Sequence, residues 1–186
     1  SYEFLADFVA KVSAAGCSTF IVHARKAILK GLSPHENRTI PPLRYDLVYR
    51  LKADFPGLRI VINGGIATLD EMSGHLGRVD GVMLGRKAAD DPYFLTQVQA
   101  QFLDPAGGAV EPQRAAVVRR MYEYALREAG TGVKLHHVTR HMLGLYHGLP
   151  GARSWRRFIS QGACRGDASP ELLLQSLDHL ARAGSA

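Results

Sequence analysis

The sequence has few cysteines and no long apolar run. Only two cysteines, Cys17 and Cys164, occur among the 186 residues, and neither belongs to a Cys-x-x-Cys pair or a Cys/His cluster. This argues against a disulfide framework and offers no metal-binding pattern. No apolar run reaches the roughly 18 residues that a membrane helix requires, so we expect no membrane partner.

The N-terminal residues also lack the features of a signal peptide. Glu3, Asp7 and Lys11 interrupt the apolar pattern there, and no basic segment precedes it. Secretory signals combine a basic start with an uninterrupted apolar stretch. The lack of an export or anchor signal predicts a cytoplasmic protein.

Acidic side chains are outnumbered by basic ones, and more so in the C-terminal part. The formal net charge is +6. Residues 1–103 hold 12 basic and 10 acidic side chains, whereas the shorter segment 104–186 holds 11 and 7. A basic excess indicates a polyanionic partner such as nucleic acid, although it can equally serve solubility.

Helical and extended patterns alternate in the first part of the chain. Short apolar runs, the first of which is typical of a strand buried on both faces, alternate with segments of helical spacing. The predicted strands are residues 19–22, 58–62 and 80–84, and the predicted helices are residues 2–15, 47–55, a helix that opens at the capping box of Thr68 and Glu71, and residues 92–102. This order predicts an α/β fold with a parallel sheet. Since three strands neither close a barrel nor shield a sheet, we expect the chain to be part of something larger.

The second part of the chain contains helical patterns and no strand candidate. The Asp-Pro-Ala-Gly-Gly-Ala segment that begins at Asp104 is a break in composition. We therefore predict two domains, residues 1–103 and 112–186, joined by a linker at residues 104–111. The predicted helices of the second domain are residues 112–129, 133–146, 152–161 and 170–183.

Polar or glycine-rich residues follow all three predicted strands. The strands run into His23-Ala24-Arg25-Lys26, Asn63-Gly64-Gly65 and Gly85-Arg86. Chemistry in parallel α/β folds lies at the carboxyl ends of strands, and barrels often bind a phosphate after the last two. The glycine pair lets backbone N–H groups approach a ligand, and Arg86 offers a fork for phosphate oxygens. A phosphate site and ordinary βα turns both remain possible from these residues alone.

His23 has three possible roles at its strand end: general acid or base, cofactor contact, or capped core histidine. The neighbouring Arg25 and Lys26 argue against a purely buried role, because cations are rarely fully buried. Neither cysteine falls at a strand end, so we interpret both as structural.

An arginine-rich segment stands out in the helical part. Arg153, Arg156 and Arg157 have i, i+3 and i+4 spacing and so share one helical face. Such a face suits phosphate contacts, while the alternative is a solvated face opposite a core residue, Trp155. Further basic residues lie just upstream, namely His136, His137, Arg140 and His141.

These segments together resemble the A-type subfamily of the bacterial tRNA-dihydrouridine synthases. The resemblance covers nearly the whole chain and rests on HARKA followed by GLSPHENRTIPPL, and on INGGI, DGVMLGRKAADDPYFL and TRHMLGLYHGLPGARSWRRF. It implies the C-terminal part of a (β/α)8 TIM barrel, about its last three strands, that binds FMN. It also implies that an all-α domain follows and binds tRNA.

The implied activity is that of a flavin-dependent oxidoreductase. Such an enzyme reduces a D-loop uridine of tRNA, at position 20 or its neighbour, to 5,6-dihydrouridine. NADPH reduces the flavin, the flavin N5 delivers hydride to C6, and a cysteine protonates C5. Neither Cys17 nor Cys164 matches that cysteine, which belongs to an earlier strand of the barrel, so we expect no catalytic residue in this chain. The full-length enzyme is expected to be a monomer.

The resemblance also assigns roles to individual residues. The FMN contacts that it implies are His23, Asn63, Gly64 and Gly65, with Gly85 and Arg86 completing the phosphate site. The tRNA contacts that it implies are His35, Arg38, Arg153 and Arg156. His35 departs from the family pattern, which has a lysine there, and this is expected to weaken one RNA contact.

Two other interpretations remain. The chain could be a non-catalytic RNA-binding remnant of such an enzyme. It could also belong to another phosphate-binding TIM-barrel enzyme with a small substrate, but the arginine face of the helical part argues against that, since such an enzyme needs no RNA contact.

Overall fold

The computed structural model describes residues 1–28, 30–104 and 113–184. The chain forms two compact units, Ser1–Gly85 and Arg86–Ala186. Apart from Asp104, the predicted linker lies outside the described residues.

The first unit is an α/β structure with a parallel sheet, as the alternating patterns predict. Its elements are α1 (Tyr2–Ala14), β1 (Thr19–His23), a short 3₁₀ helix (Glu36–Arg38), α2 (Tyr45–Asp54), β2 (Arg59–Asn63), α3 (Leu69–Leu76) and β3 (Gly81–Met83). The sheet order is β1-β2-β3, and both strand pairs are parallel. The predicted α/β alternation is therefore confirmed for this part of the chain.

The start of α3 is fixed by the predicted capping box. The Thr68 hydroxyl accepts a hydrogen bond from the backbone N–H of Glu71, and the Glu71 carboxylate accepts one from that of Thr68. The same carboxylate also accepts from the N–H of Ala67 at 2.8 Å. These bonds satisfy N–H groups that the first turn of a helix leaves without intrahelical partners.

The first strand is less buried than its sequence indicates. We predicted that residues 19–22 are buried on both faces, and this is wrong in this structure, since Ile21 is 59% exposed. On α1, Phe4 and Phe8 are also exposed, by 74% and 52%. Strand side chains alternate between the two faces of a sheet, and Thr19, Ile21 and His23, which share one face of β1, are all exposed, so this face is largely uncovered within the described residues. An apolar surface of this kind is usually covered by another element.

The second unit contains helices joined by turns and no strand among its described residues. Its helices are α4 (Arg86–Asp90), α5 (Phe94–Val98), which continues as a π-helical segment (Gln99–Leu103), α6 (Arg114–Ala129), α7 (Leu135–Thr139), α8 (Ala152–Ala163) and α9 (Leu172–Gly184). The helix predicted at 133–146 is wrong in length, because only Leu135–Thr139 is helical and turns follow it.

A close backbone contact explains why turns replace the end of that predicted helix. A Cβ atom on Gly144 would lie 2.0 Å from the carbonyl oxygen of Asp90 and 2.6 Å from its carbonyl carbon. Only glycine lets two backbone segments approach so closely. The turn at Gly144 therefore packs directly on the segment that joins α4 to α5.

The core of the second unit is built around Trp155. Its side chain is fully buried, together with those of Val118, Ile159 and Leu173. The indole N–H donates to the hydroxyl of Ser176 at 3.1 Å, so the polar atom of this large apolar residue is paired. Trp155 is thus a core residue, as the sequence suggested. The face of α8 that carries Trp155 and Ile159 packs in the core. Within the described residues, no helix combines the length and apolar character needed to cross a membrane.

Lowering the pH should destabilise the first unit through the buried His75. Burial of the ring is the main cause that lowers its pKa, with Glu71 opposing and Arg78 adding to the shift. The unfolded chain, whose histidine pKa is about 6.5, therefore binds a proton at a higher pH than the folded chain. The free energy of unfolding should fall as the pH drops through about 6.5, by at most about 1.4 kcal/mol per pH unit.

Replacing His75 with Phe tests this linkage. The substitution removes the hydrogen bond between the His75 Nδ1 and the Tyr49 hydroxyl, at 2.7 Å, but also removes the titrating group. Urea unfolding followed by circular dichroism at about pH 7 and about pH 5 should show a smaller loss of stability in the variant. An equal loss in both proteins would contradict the role of His75.

Candidate functional site

The carboxyl ends of the three strands lie side by side. His23 pairs with Asn63, and Asn63 pairs with Met83, in the parallel register of the sheet. The Asn63 amide also donates to the Met83 sulfur at 3.2 Å. His23 and Met83 are exposed. The carboxyl ends of the strands therefore bring an imidazole and an amide together at the surface of the first unit.

The glycine pair after β2 serves the packing of the neighbouring segment. Gly64 and Gly65 have φ angles of 125° and 73°, in a region that favours glycine. A Cβ on Gly65 would lie 2.7 Å from the Cδ1 of Leu43, and the Tyr45 hydroxyl donates to the Gly64 carbonyl oxygen at 2.5 Å. From the sequence, both a phosphate site and an ordinary βα turn were possible for these glycines. The structure adds that they make room for the residues that lead into α2.

The segment after β1 returns to the sheet and is held there by Arg25. Residues Arg25 and Leu43 form an antiparallel bridge, and the Arg44 N–H donates to the Ala24 carbonyl at 2.7 Å. The Arg25 guanidinium also donates to the backbone carbonyls of Thr39, at 3.2 Å, and Pro41. These contacts give Arg25 of the His-Ala-Arg-Lys motif a structural role, which the sequence did not indicate.

The Ser-Pro-His-Glu-Asn-Arg loop is organised by its own polar side chains. The Asn37 amide oxygen accepts from the Ile28 N–H at 2.7 Å, and its amide nitrogen donates to the Ile28 carbonyl at 2.9 Å. The Glu36 carboxylate accepts from the Ser33 N–H at 2.7 Å, and hydrogen bonds from Ser33 lower the pKa of Glu36. The sequence did not mark Ser33, Glu36 or Asn37 as functional residues. Their bonds shape the loop on whose surface the side chains of His35 and Arg38 are exposed.

The two candidate residues after β3, Gly85 and Arg86, belong to different units. Gly85 is exposed at the end of the first unit, and a Cβ added to it would meet no atom within 4 Å. Arg86 is exposed and begins the second unit together with α4.

In the second unit, the predicted RNA-contact residues border two cavities. Arg153 and Arg156 are exposed on α8, whereas Trp155 on the same helix faces the core. One cavity of about 610 Å³ is lined by both arginines and by His147. Another, of about 460 Å³, is lined by Arg140, His147 and Arg156. Sequence reasoning did not select His147, although it lies within the TRHMLGLYHGLPGARSWRRF segment.

A second group of basic side chains lies at α7. The rings of His136 and His137 are 4.1 Å apart between centroids. His136 is the main cause that lowers the pKa of His137, with contributions from burial, Arg140 and Lys134. The lowered pKa favours the neutral form of His137, so Lys134 and Arg140 are the permanent cations beside this short helix.

The chain is similar to proteins of one known family. Residues 1–182 match the sequence profile described as dihydrouridine synthase (Dus). Proteins named tRNA-dihydrouridine(20/20a) synthase are similar to it in Pasteurella multocida (50% identity over 97% of this chain and 55% of the relative), in Shewanella oneidensis (52%, over 93% and 51%) and in Escherichia coli (51%, over 95% and 51%).

Each match covers nearly all of this chain but only part of the relative. The chain spans about half the length of the curated relatives that it matches, and it corresponds to their C-terminal half. The resemblance found in the HARKA, INGGI and arginine-rich segments is thereby confirmed. Since the family profile covers nearly every residue, the chain belongs to the dihydrouridine synthase family.

Proposed function

We propose that this chain forms the C-terminal part of a tRNA-dihydrouridine synthase, which reduces a D-loop uridine at position 20 or 20a to 5,6-dihydrouridine. The observation that carries the proposal is the register of the sheet, which aligns His23 with Asn63 next to the glycine pair. In the proposed architecture, β1–β3 are the last strands of a (β/α)8 barrel, and residues 112–186 form a tRNA-binding helical domain after a linker at 104–111. The whole enzyme would act as a monomer in the cytoplasm, with NADPH as reductant.

The strand ends of this chain have the chemistry that FMN requires. An imidazole, an amide and exposed glycine backbone lie along one sheet edge, and these groups suit the hydrogen bonds of a flavin and its phosphate. The residues that would hold FMN are His23, Asn63, Gly64 and Gly65, with Gly85 and Arg86 at the phosphate. When bound, FMN supplies the hydride chemistry of the reaction. The role of this chain is to bind and orient it.

Neither cysteine lies at the carboxyl end of a strand. Cys17 lies before β1, at the opposite end of that strand from His23, and its thiol donates to the Thr19 carbonyl at 3.4 Å. Cys164 caps the carboxyl end of α8. The protonating cysteine of the proposed reaction would therefore lie outside this chain. The second candidate is a non-catalytic RNA-binding remnant of such an enzyme.

Recognition of tRNA would use exposed basic residues of both units. His35 and Arg38 would contact RNA from the loop that Asn37 and Glu36 organise. Arg153 and Arg156 would contact phosphates from α8. Guanidinium groups on a rigid helix are well suited to phosphate oxygens, because their fork geometry allows two hydrogen bonds at once.

Replacing Arg153 and Arg156 with Ala should weaken tRNA binding and reduce its dependence on salt. Each lost phosphate contact should lower the slope of log affinity against log salt by about 1. Binding would be measured by fluorescence anisotropy over a range of salt concentrations, and flavin fluorescence with added FMN would be followed in the same samples.

A matched control removes two other arginines. Arg120 and Arg127 are exposed on α6, so their double replacement with Ala changes the net charge equally. We expect this variant to keep the slope of the unmodified chain. Equal slopes in all three proteins would refute the assignment of Arg153 and Arg156. Salt-sensitive tRNA binding without FMN binding would favour the RNA-binding remnant.

A further inference from the structure

The two cavities next to α8 adjoin and form one basic cleft, because both are lined by His147 and Arg156. Their volumes of about 610 and 460 Å³ exceed the space that one small ion fills. We call this concavity the α8 cleft. Its charged or titratable lining residues are Asp90, Arg140, His147, Arg153 and Arg156.

Packing in the second unit holds the lining cations at fixed places. Trp155 fixes one face of α8 in the core, which leaves Arg156 on the cleft side. The Arg156 Nε donates to the Leu143 carbonyl at 3.4 Å, and the Arg140 Nε donates to the His141 ring at 3.0 Å. A guanidinium has five N–H donors, so each of these bonds uses only one of them.

We propose that the α8 cleft binds the sugar–phosphate backbone of tRNA, with Arg140 and His147 as contacts additional to Arg153 and Arg156. This inference rests on the proposed function. Three arginines and one histidine line two cavities that share His147 and Arg156, and such a set of cations suits successive phosphates better than a single anion.

The lining also contains one carboxylate, that of Asp90, which provides an independent test of the proposal. Asp90 is exposed and belongs to the part of the cleft that Arg140 lines. A carboxylate beside a bound phosphate repels it, so Asp90 weakens the binding that the arginines provide. Removing its charge should therefore increase the affinity for tRNA.

The experiment compares three single variants of the 186-residue chain by tRNA binding across a range of salt concentrations. Arg140→Gln and His147→Gln should each weaken binding several-fold, and Arg140→Gln should also lower the salt slope by about 1. Asp90→Asn should tighten binding at low salt several-fold, which loss of folding cannot imitate. Arg120→Gln, on α6, is the charge-matched control for Arg140→Gln and should bind like the unmodified chain.

The outcomes separate this inference from the proposed function. If Arg140→Gln and His147→Gln bind like the unmodified chain while the Arg153 and Arg156 double variant is weakened, the cleft proposal is overturned and the function stands. Unchanged affinity of Asp90→Asn would also overturn it, even if Arg140→Gln does not fold. If the unmodified chain shows no salt-dependent binding of tRNA, both the proposed function and the inference fail.

Discussion

Replacing Gly144 with Ala should destabilise the second unit by about 3 kcal/mol or more. The new Cβ would lie 2.0 Å from the Asp90 carbonyl oxygen, a distance that two non-bonded atoms cannot tolerate. Since the obstacle is backbone rather than the end of a flexible side chain, relief requires the turn to move away from the segment between α4 and α5. Trp155, the only tryptophan, would report the loss by its fluorescence during urea unfolding.

Gly166 provides the matched control for this change. A Cβ at Gly166 would meet no atom within 4 Å, and its φ lies outside the glycine-favouring region. Gly166→Ala should therefore change the free energy of unfolding by less than about 0.5 kcal/mol. If Gly144→Ala unfolds at the same urea concentration as Gly166→Ala, the close contact at Asp90 is incorrect.

Gly144 also connects stability with the proposed binding. It lines the α8 cleft together with Arg140 and His147. A shifted turn would move these side chains, so Gly144→Ala should weaken tRNA binding even where the second unit remains folded.

Replacing Trp155 with Ala should cost about 3–5 kcal/mol, because it empties the centre of the core. The indole is fully buried, its ring centroid is 4.8 Å from that of Tyr146, and its N–H bonds to Ser176. For a unit of this size, thermal unfolding followed by circular dichroism should show a Tm lower by roughly 10 °C or more.

The smaller change Ser176→Ala separates packing from hydrogen bonding. It keeps the indole in place but removes the acceptor of its N–H, and we expect a cost of about 1–3 kcal/mol. A Trp155→Ala variant no less stable than Ser176→Ala would contradict the assignment of Trp155 as the centre of the core. At temperatures where the Trp155→Ala variant remains folded, its salt slope for tRNA should be unchanged, because Arg153 and Arg156 remain.

Local sequence signals predicted most elements of the fold. The strands at 19–22, 58–62 and 80–84 and the capping box at Thr68 depend on neighbouring residues, whose preferences act at short range. The family followed from the HARKA and GLSPHENRTIPPL motifs, and the family profile confirmed it. The strand-end residues and their assigned roles stay predictions, although the register brings His23 and Asn63 together as parallel strands require.

The errors and omissions share a non-local cause. The apolar run at 19–22 indicates a strand buried on both faces, but burial depends on what packs against each face of the sheet, and one face of β1 is exposed. The apolar spacing at 133–146 indicates a helix, but the contact between Gly144 and Asp90 joins residues far apart in the chain. No local sequence pattern indicates a contact between residues so far apart in the chain.

The sequence by itself thus determined the order of elements, the family and the motifs at the strand ends. Only the tertiary structure decided that Arg25 and Asn37 hold the loop after β1, while His35 and Arg38 are exposed on it. It likewise decided that Arg140 and His147 line one cleft with Arg156. The physical reason is that hydrogen bonds and cavities form between residues brought together by packing, and packing depends on the whole unit rather than on any one segment.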